Sequence, residues 1–355
     1  MTILHIIESS GGSADFVLYL NKYLPEHHHQ VVYSDRTFAN RFEQIKAAYP
    51  NASFYCWKDI QREVRLIKDI KASFNLYRIL KNLPSDAIHL HSSKAGFLGR
   101  LVCFIQRRKN VIYTPNGLAF LRRDVSSFKN LIYVWLEKFA DILNGRVISC
   151  SKSEADALIS KGIPSTYINN GTEIFDEEVS LANAGNRQMV IVTSGRITIQ
   201  KNPSQFQAIA SHFENDRNYR FIWIGSGELE HLLTSKNITV TGWLDRQMVL
   251  TKVLSSDLYI STALWEGLPF AVLEAMNLSK PLLLSNCVGK NDLVKNDLNG
   301  FLFTTPIDAV ERIKTLYNDR QMLMAFGRAS KALVINQFDV IEMAKTYEIA
   351  YSQHV

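Results

Sequence analysis

The sequence lacks most of what would set it apart from ordinary soluble proteins. No apolar run reaches the ~18–20 residues that cross a bilayer. The start, MTILHIIESSGG, has neither a basic leader nor a small-residue cleavage site, and it reads as a buried strand followed by a glycine turn. There are only four cysteines in 355 residues, Cys56, Cys103, Cys150 and Cys287, and none forms a C-x-x-C pair. Neither a zinc site nor a redox motif is therefore indicated, and each is expected as a small apolar core residue in a reducing cytoplasm. No zinc-finger or RNP-type motif is present. The missing G-x-G-x-x-G counts against an ordinary NAD site. There is no internal repeat and no low-complexity tract.

What is present is globular in character, with 46% hydrophobic and 21% charged residues. A chain of 355 residues is too long for one ordinary core, so two domains are expected. The net charge of +6 is uneven: residues 1–170 carry 23 Lys and Arg against 14 Asp and Glu, and the remainder 17 against 20. A basic first half is either a solvated face or a surface that meets something anionic, such as a membrane or a phosphorylated lipid.

Short apolar runs alternate with helical patterns. ILHII, QVVYS, AIHLH, NVIYT, RVISC and TYIN read as strands, with helices between them, including a long helical region around 59–82 and another near 126–144. Such alternation means parallel sheets covered on both faces. The polar, acidic stretch 171–188 interrupts it and reads as a linker. It restarts with MVIVTSG, RFIWIG, ITVTG, DLYIST and PLLLS, with helices around 203–214, in GELEHLLTS, near 245–254 and after DLYIST. The expected organisation is a first domain over 1–170, a second over 189–339, and a last helix, 340–355, that can join either.

In open α/β sheets ligands bind beyond the C-terminal strand ends, near helix N-termini. Gly11 and Gly12 follow the first strand, where glycine lets backbone approach a ligand or simply makes a tight turn. In SGRITIQKNP, Arg196 and Lys201 follow a strand, and two cations there can clamp a diphosphate or lie solvated on the surface. GSGELE has two of three fingerprint glycines and reads as a turn. In WEGLPFAVLEAM, Gly267 and Pro269 suit a sharp loop, Pro269 fits the first helical position, and the free N–H groups of Gly267 to Ala271 face outward from the sheet. Glu266 then sits in the loop and Glu274 about one turn into the helix, where carboxylates accept sugar hydroxyls or merely favour the helix dipole. Cations for diphosphate, N–H groups for phosphate and carboxylates for hydroxyls together are what a nucleotide-sugar needs.

These words, in this order, resemble the retaining GT-B-fold glycosyltransferases of the large bacterial group that builds surface polysaccharides. GRITIQKNP, WIGSGELE, TGW, SDLYISTALWEGLPFAVLEAM and NGFLF carry the likeness in the second half; ESSGGSADFVLYL, HLHSSKAGFLGRL, YTPNGLAF and ISCSKSEADALISKGI carry it in the first. R-x(4)-K followed by E-x(7)-E is the specific combination. The resemblance implies an α/β GT-B architecture, two Rossmann-like domains facing across a cleft, with the last helix crossing back to the first domain. It implies that Arg196 and Lys201 neutralise the donor diphosphate, that Glu266 with Gly267, Leu268, Pro269 and Phe270 holds the transferred sugar and phosphates, and that Glu274 takes the ribose. Gly195 and Gly225 belong with the donor, Gly242 and Trp243 lie by the base, and Gly11 and Gly12 approach donor and acceptor. Asn116 in YTPNG replaces a family histidine that contacts the transferred sugar. It can still hydrogen-bond but carries no proton charge.

No metal and no cofactor is implied beyond the nucleotide-sugar co-substrate, with UDP the expected nucleotide. No D-x-D occurs, and retention is expected by front-face attack, without a dedicated base. The acceptor side is assigned to His91, Ser92 and Lys94, with His89 structural. HHH at 27–29 reads as the exposed lead into a strand. The expected acceptor is a glycan, often on a polyprenyl diphosphate, in capsule, O-antigen or exopolysaccharide assembly, which places the protein at the inner face of the cytoplasmic membrane. The helix within 57–83 either lies on an anionic membrane or packs its apolar face in the core. Competing readings are a non-catalytic nucleotide-sugar-binding or scaffold member, motivated by Asn116, and a nucleotide-sugar epimerase.

Overall fold

A computed structural model describes residues 1–8, 11–34, 49–61, 64–175 and 188–353. The chain divides into two compact units. Unit 1 comprises Met1–Leu121, Val125–Asn170 and Val340–Val355; unit 2 comprises Arg122–Asp124 and Gly171–Asp339. Most of the expected linker, 176–187, lies outside the described residues.

Unit 1 runs β1 (Thr2–Ile7), α1 (Gly12–Tyr23), β2 (His28–Ser34), β3 (Ala52–Trp57), α2 (Leu66–Lys81), β4 (Ala87–His91), α3 (Ser93–Ile105), β5 (Val111–Thr114), α4 (Ser127–Leu143), β6 (Arg146–Ser149), α5 (Lys152–Ile159) and β7 (Thr166–Tyr167), and is completed by α11 (Val340–Ser352). Its parallel sheet has the order β3-β2-β1-β4-β5-β6-β7. Unit 2 runs β8 (Met189–Ser194), α6 (Pro203–Ser211), β9 (Tyr219–Ile224), β10 (Ile238–Val240), α7 (Arg246–Leu254), β11 (Leu258–Ser261), α8 (Phe270–Asn277), β12 (Leu282–Ser285), β13 (Gly300–Phe303), α9 (Pro306–Asn318) and α10 (Arg320–Gln337). Its order is β10-β9-β8-β11-β12-β13. Both sheets are doubly wound, with the strand order reversing between β1 and β4 and between β8 and β11. Ligands of such sheets bind outside the carboxyl ends at that point.

The central strands are mostly apolar and almost wholly buried, as strands covered on both faces must be, with His5 the buried polar member of β1. Helix starts are set by capping: Asn202, Asp245 and Thr305 accept from the third residue of α6, α7 and α9, with Pro203 and Pro306 opening the first and last of these. In unit 2 the core is aromatic, with Phe206 edge-on to Trp223 and Phe221. Among the described residues no helix is long and apolar enough to cross a membrane.

Three local expectations fail. The helical region expected from 59 starts at Leu66, and β3 was not foreseen. GELEHLLTS forms only a short 3-10 turn, Glu230–Leu232, because the backbone of Gly227 packs where a Cβ would stand 2.3 Å from the Ile197 carbonyl. Tertiary contact overrides helix propensity there. His27 and His29 are buried and only His28 is exposed, because β2 begins at His28 and carries His29 into the core.

That core contains an imidazole ladder on neighbouring strands. His29 Nε2 lies 3.1 Å from the Leu24 carbonyl, His29 Nδ1 3.1 Å from His5 Nε2, and His5 Nδ1 3.2 Å from His91 Nε2. The carbonyl can only accept, so His29 and His5 each donate through Nε2 and accept through Nδ1, and His91 donates through Nε2. His91 Nδ1 ends the ladder without a partner. His89 bonds the Tyr351 hydroxyl at 2.7 Å and the Thr114 hydroxyl at 2.8 Å, as a structural residue. Burial lowers all four pKa values, His29 to about 4.

Candidate active site

The C-terminal ends of β8 and β11 gather the candidate residues of unit 2. Gly195 follows β8 at φ 136°, and Gly225 follows β9 at φ 136°, where a Cβ would stand 2.3 Å from the Gly195 carbonyl. Gly242 follows β10 at φ 71° and bridges Gly225. Three adjacent strands thus end in glycines in conformations that side chains disfavour, leaving a rim of bare backbone. Trp243, beside Gly242, is exposed, as is Arg196.

Lys201 ends the short turn Ile199–Lys201. That turn is bound to the loop after β11: Leu264 N–H donates to the Gln200 carbonyl at 2.8 Å, and Thr262 Oγ1 donates to the Lys201 carbonyl at 2.7 Å. Lys201 Nζ and Glu266 Oε1 are 2.6 Å apart. Burial pulls the ammonium's pKa down, but the Glu266 charge and hydrogen bond outweigh it, and the pKa stands above the ordinary lysine value. The lysine is therefore held charged in a partly desolvated site.

Gly267 and Leu268 form the loop floor and are buried. Pro269 is the N-cap of α8, one position earlier than expected; its carbonyl accepts from Val272 and Leu273, and Phe270 begins the helix. Glu274 lies one turn in, as expected, but pairs with Arg246 Nε at 3.1 Å, and Arg246 Nη1 reaches Glu173 at 3.1 Å.

The sequence reading missed two residues here. Arg246 opens α7, where an exposed cation carries no distinctive signal. Lys290 is fully buried and donates to the Ala263 carbonyl at 2.8 Å, the Ser261 carbonyl at 3.3 Å and the Ser285 hydroxyl. Burial lowers its pKa to about 8. Next to it, Gly289 at φ 83° lies where a Cβ would be 1.8 Å from the Gly267 carbonyl. Lys290 and Gly289 together form the wall behind the Glu266 loop.

In unit 1, Gly11 is the N-cap of α1 and Gly12 its first residue. Asn116 sits at φ 54° after β5, and the next residue, Gly117, donates to the buried Glu154 carboxylate at 2.6 Å. Ser92 follows β4 at φ 74° and donates to Glu8 Oε1 at 3.1 Å, a carboxylate that the sequence reading did not single out. Of the other two acceptor-side candidates, His91 is fully buried as the end of the ladder, and Lys94 is in an ion pair with Asp69 at 2.7 Å. Alternate positions on β4 share one face, and His89 and His91 both point into the core.

Two doubly wound parallel sheets define the GT-B class of glycosyltransferase folds. Solved structures agree along the whole chain: Anabaena HepE in complex with UDP and glucose at 20% identity, covering 99% of this chain and all of that one with TM-score 0.78, and the sucrose-phosphate synthase of Thermosynechococcus elongatus at 14% identity with coverage of 99% and 98% and TM-score 0.79. The family model "Glycosyl transferases group 1" matches residues 176–333, and "Glycosyltransferase Family 4" matches 10–174. The Escherichia coli UDP-Gal:alpha-D-GlcNAc-diphosphoundecaprenol alpha-1,3-galactosyltransferase is 30% identical over 307 residues, 79% of either chain. The Staphylococcus aureus capsular polysaccharide biosynthesis glycosyltransferase CapM is 24% identical, covering 79% of this chain and 80% of that one. The chain belongs to the group 1 glycosyltransferases.

Proposed function

We propose that this glycosyltransferase moves a sugar, with retention and without a divalent metal, from a UDP-sugar to a glycan on a lipid diphosphate, in surface polysaccharide assembly at the inner face of the cytoplasmic membrane. The observation that carries this reading is the Lys201–Glu266 pair at the reversal of the unit 2 sheet, 2.6 Å apart. The name of the Escherichia coli relative, a UDP-galactose enzyme with a diphosphoundecaprenol acceptor, supports the donor and acceptor classes.

As the glycosyl–phosphate bond breaks, its electron pair goes to the diphosphate. Lys201, kept charged, and Arg196 stabilise that charge more as it grows, and this difference is what speeds the step. The acceptor hydroxyl attacks the same face, and its proton passes to the leaving phosphate oxygen. Glu266 holds Lys201 and the transferred sugar, Glu274 takes the ribose hydroxyls, and Gly195, Gly225, Gly242 and Trp243 border the diphosphate and base. Gly267 to Phe270 present N–H groups to the phosphates, except at Pro269, which has none. Gly11, Gly12, Asn116 and Ser92 are the unit 1 candidates for the transferred sugar and acceptor.

Lys201→Ala should lower acceptor-dependent UDP release by at least about 1000-fold, the scale of a lost transition-state charge, with the thermal transition kept. Glu274→Ala should also abolish transfer. Full activity in either purified variant sinks the assignment. UDP release by the wild type only when acceptor is present excludes a non-catalytic binder.

A further inference from the structure

We propose that the outer face of α2, α3 and α4 is a docking surface for an anionic lipid bilayer. A helix packed on a sheet needs one apolar stripe, facing the core. α2 and α4 carry a second. On α4 the inward positions are Tyr133, Glu137 and Ala140, and Glu137 is spent on Arg100 at 2.6 Å and the Tyr113 hydroxyl at 2.8 Å. The outward positions are Phe128, Leu131, Ile132, Trp135, Phe139 and Ile142, at steps of three and four that keep one side of the helix, and Trp135 is 68% and Ile142 82% exposed. The solvent side of α4 thus carries six large apolar side chains, although Val134 and Leu136 already serve the core side. On α2, Ala72, Leu76 and Leu80 face inward, while Leu66, Ile67, Ile70 and Phe74 face out. Phe104 and Ile105 extend the patch at the end of α3.

The three helices are neighbours. Lys94 of α3 pairs with Asp69 of α2 at 2.7 Å, and Phe97 of α3 lies against Phe139 of α4, ring centroids 6.4 Å apart. Among the described residues, half of the exposed large apolar side chains fall on these three helices; the rest are scattered. Concentration on this scale marks an interaction surface.

Charge selects the partner. Along α2 the exposed charged residues are Arg65, Lys68, Lys71, Arg78 and Lys81. Arg107, Lys109 and Lys138 continue the set around α3 and α4. The carboxylates of these segments, Asp69, Glu137 and Asp141, are not exposed. A second copy of the chain would bring cations against cations, since a symmetric contact repeats the same patch on both sides. Aromatic and aliphatic side chains set among cations fit an anionic headgroup layer with its acyl boundary beneath. The surface stands on its own; its use, bringing the enzyme to a lipid-linked acceptor, rests on the function proposed above.

The full-length protein is sedimented with vesicles of phosphatidylcholine, alone or mixed with phosphatidylglycerol. It should partition at least about tenfold better onto the anionic vesicles, less so as salt rises. Trp135→Glu with Ile142→Glu should cut that partition at least about tenfold, and Leu66→Glu with Ile70→Glu on α2 should do the same. Ile349→Glu, exposed on α11, should not. Each variant is first checked for an unchanged thermal transition. Undiminished vesicle binding in both double variants overturns the proposal, as does a vesicle-free dimer that the substitutions dissolve. Transfer to a short-chain, water-soluble acceptor should be unchanged in the variants, and transfer to a vesicle-embedded one should fall. A wild type that uses neither acceptor defeats the proposed function and leaves the vesicle result standing.

Discussion

Units 1 and 2 share one winding and bury opposite things behind the reversal of strand order. On β1, β2 and β4 lie four imidazoles that desolvation makes neutral, and the charges acting on His5, His89 and His91 are those of one another and of His29. Behind β8 and β11 lie an ammonium and a carboxylate in contact, and there the pair outweighs desolvation. The same fold therefore hosts a neutral polar core in one half and a fixed charge in the other. What decides is whether a buried cation meets an opposite charge. Only the second arrangement can stabilise charge that appears during a reaction.

The sharpest way to separate the units is acid. Unfolded histidines bind protons from pH about 6.5 downward, while folded His29 resists until about 4. Across that window the unfolded state holds more protons, so stability falls as pH falls, by up to about 3 kcal/mol for His29 alone at roughly 1.4 kcal/mol per unit. His5, His89 and His91 push the same way. Hydrogen exchange at pH 7 and pH 5 should show β1, β2 and β4 losing protection before β8 and β11. Simultaneous loss, or unit 2 first, breaks the comparison.

Base should act on the other unit. Lys290 is depressed to about 8, so between pH 8 and 10.5 the folded state sheds a proton that the unfolded state keeps. Stability should rise with pH across that window, by up to about 3 kcal/mol. The difference between wild type and Lys290→Met isolates it from other titrating groups. Equal pH slopes in the two proteins would remove Lys290 from the comparison.

Gly289→Ala tests whether the wall behind Glu266 sets the chemistry. Its Cβ would stand 1.8 Å from the Gly267 carbonyl, so the loop must move. Displacement of about 1 Å in a positioning element costs on the order of 100-fold in rate. Transfer should fall by that factor while exchange in β1 and β4 is unchanged. Wild-type turnover would show that the loop tolerates the shift.

Much of this was legible before the structure. Alternation marked the central strands of both sheets, and Gly11, Gly195, Lys201 and Glu266 fall at their ends as strand-then-turn signals require. β3 was invisible because ASFYCW starts weakly and is only half-buried along an edge. Nothing was assigned to 306–337, where α9 and α10 form. The burial of His91 was not legible, because a strand shows which residues share a face, not which face is wet. Lys290 carries no signal of its own in the sequence, and it is the fold that encloses it, against the Ala263 and Ser261 carbonyls and the Ser285 hydroxyl.

The smallest effect concerns Glu274. Its partner Arg246 is about half exposed, so the pair contributes little to stability, on the order of 1 kcal/mol or less. A carboxylate has about four acceptor sites, so one arginine leaves capacity for ribose hydroxyls. If Arg246 serves to aim that carboxylate, Arg246→Ala should raise the donor KM by about three- to tenfold with kcat nearly unchanged, because binding outside the reacting bond is lost equally from ground and transition states. A fall in kcat at constant KM would instead put Arg246 with Lys201 among the groups that answer the growing phosphate charge. An unchanged KM and kcat would remove Arg246 from the donor site proposed above.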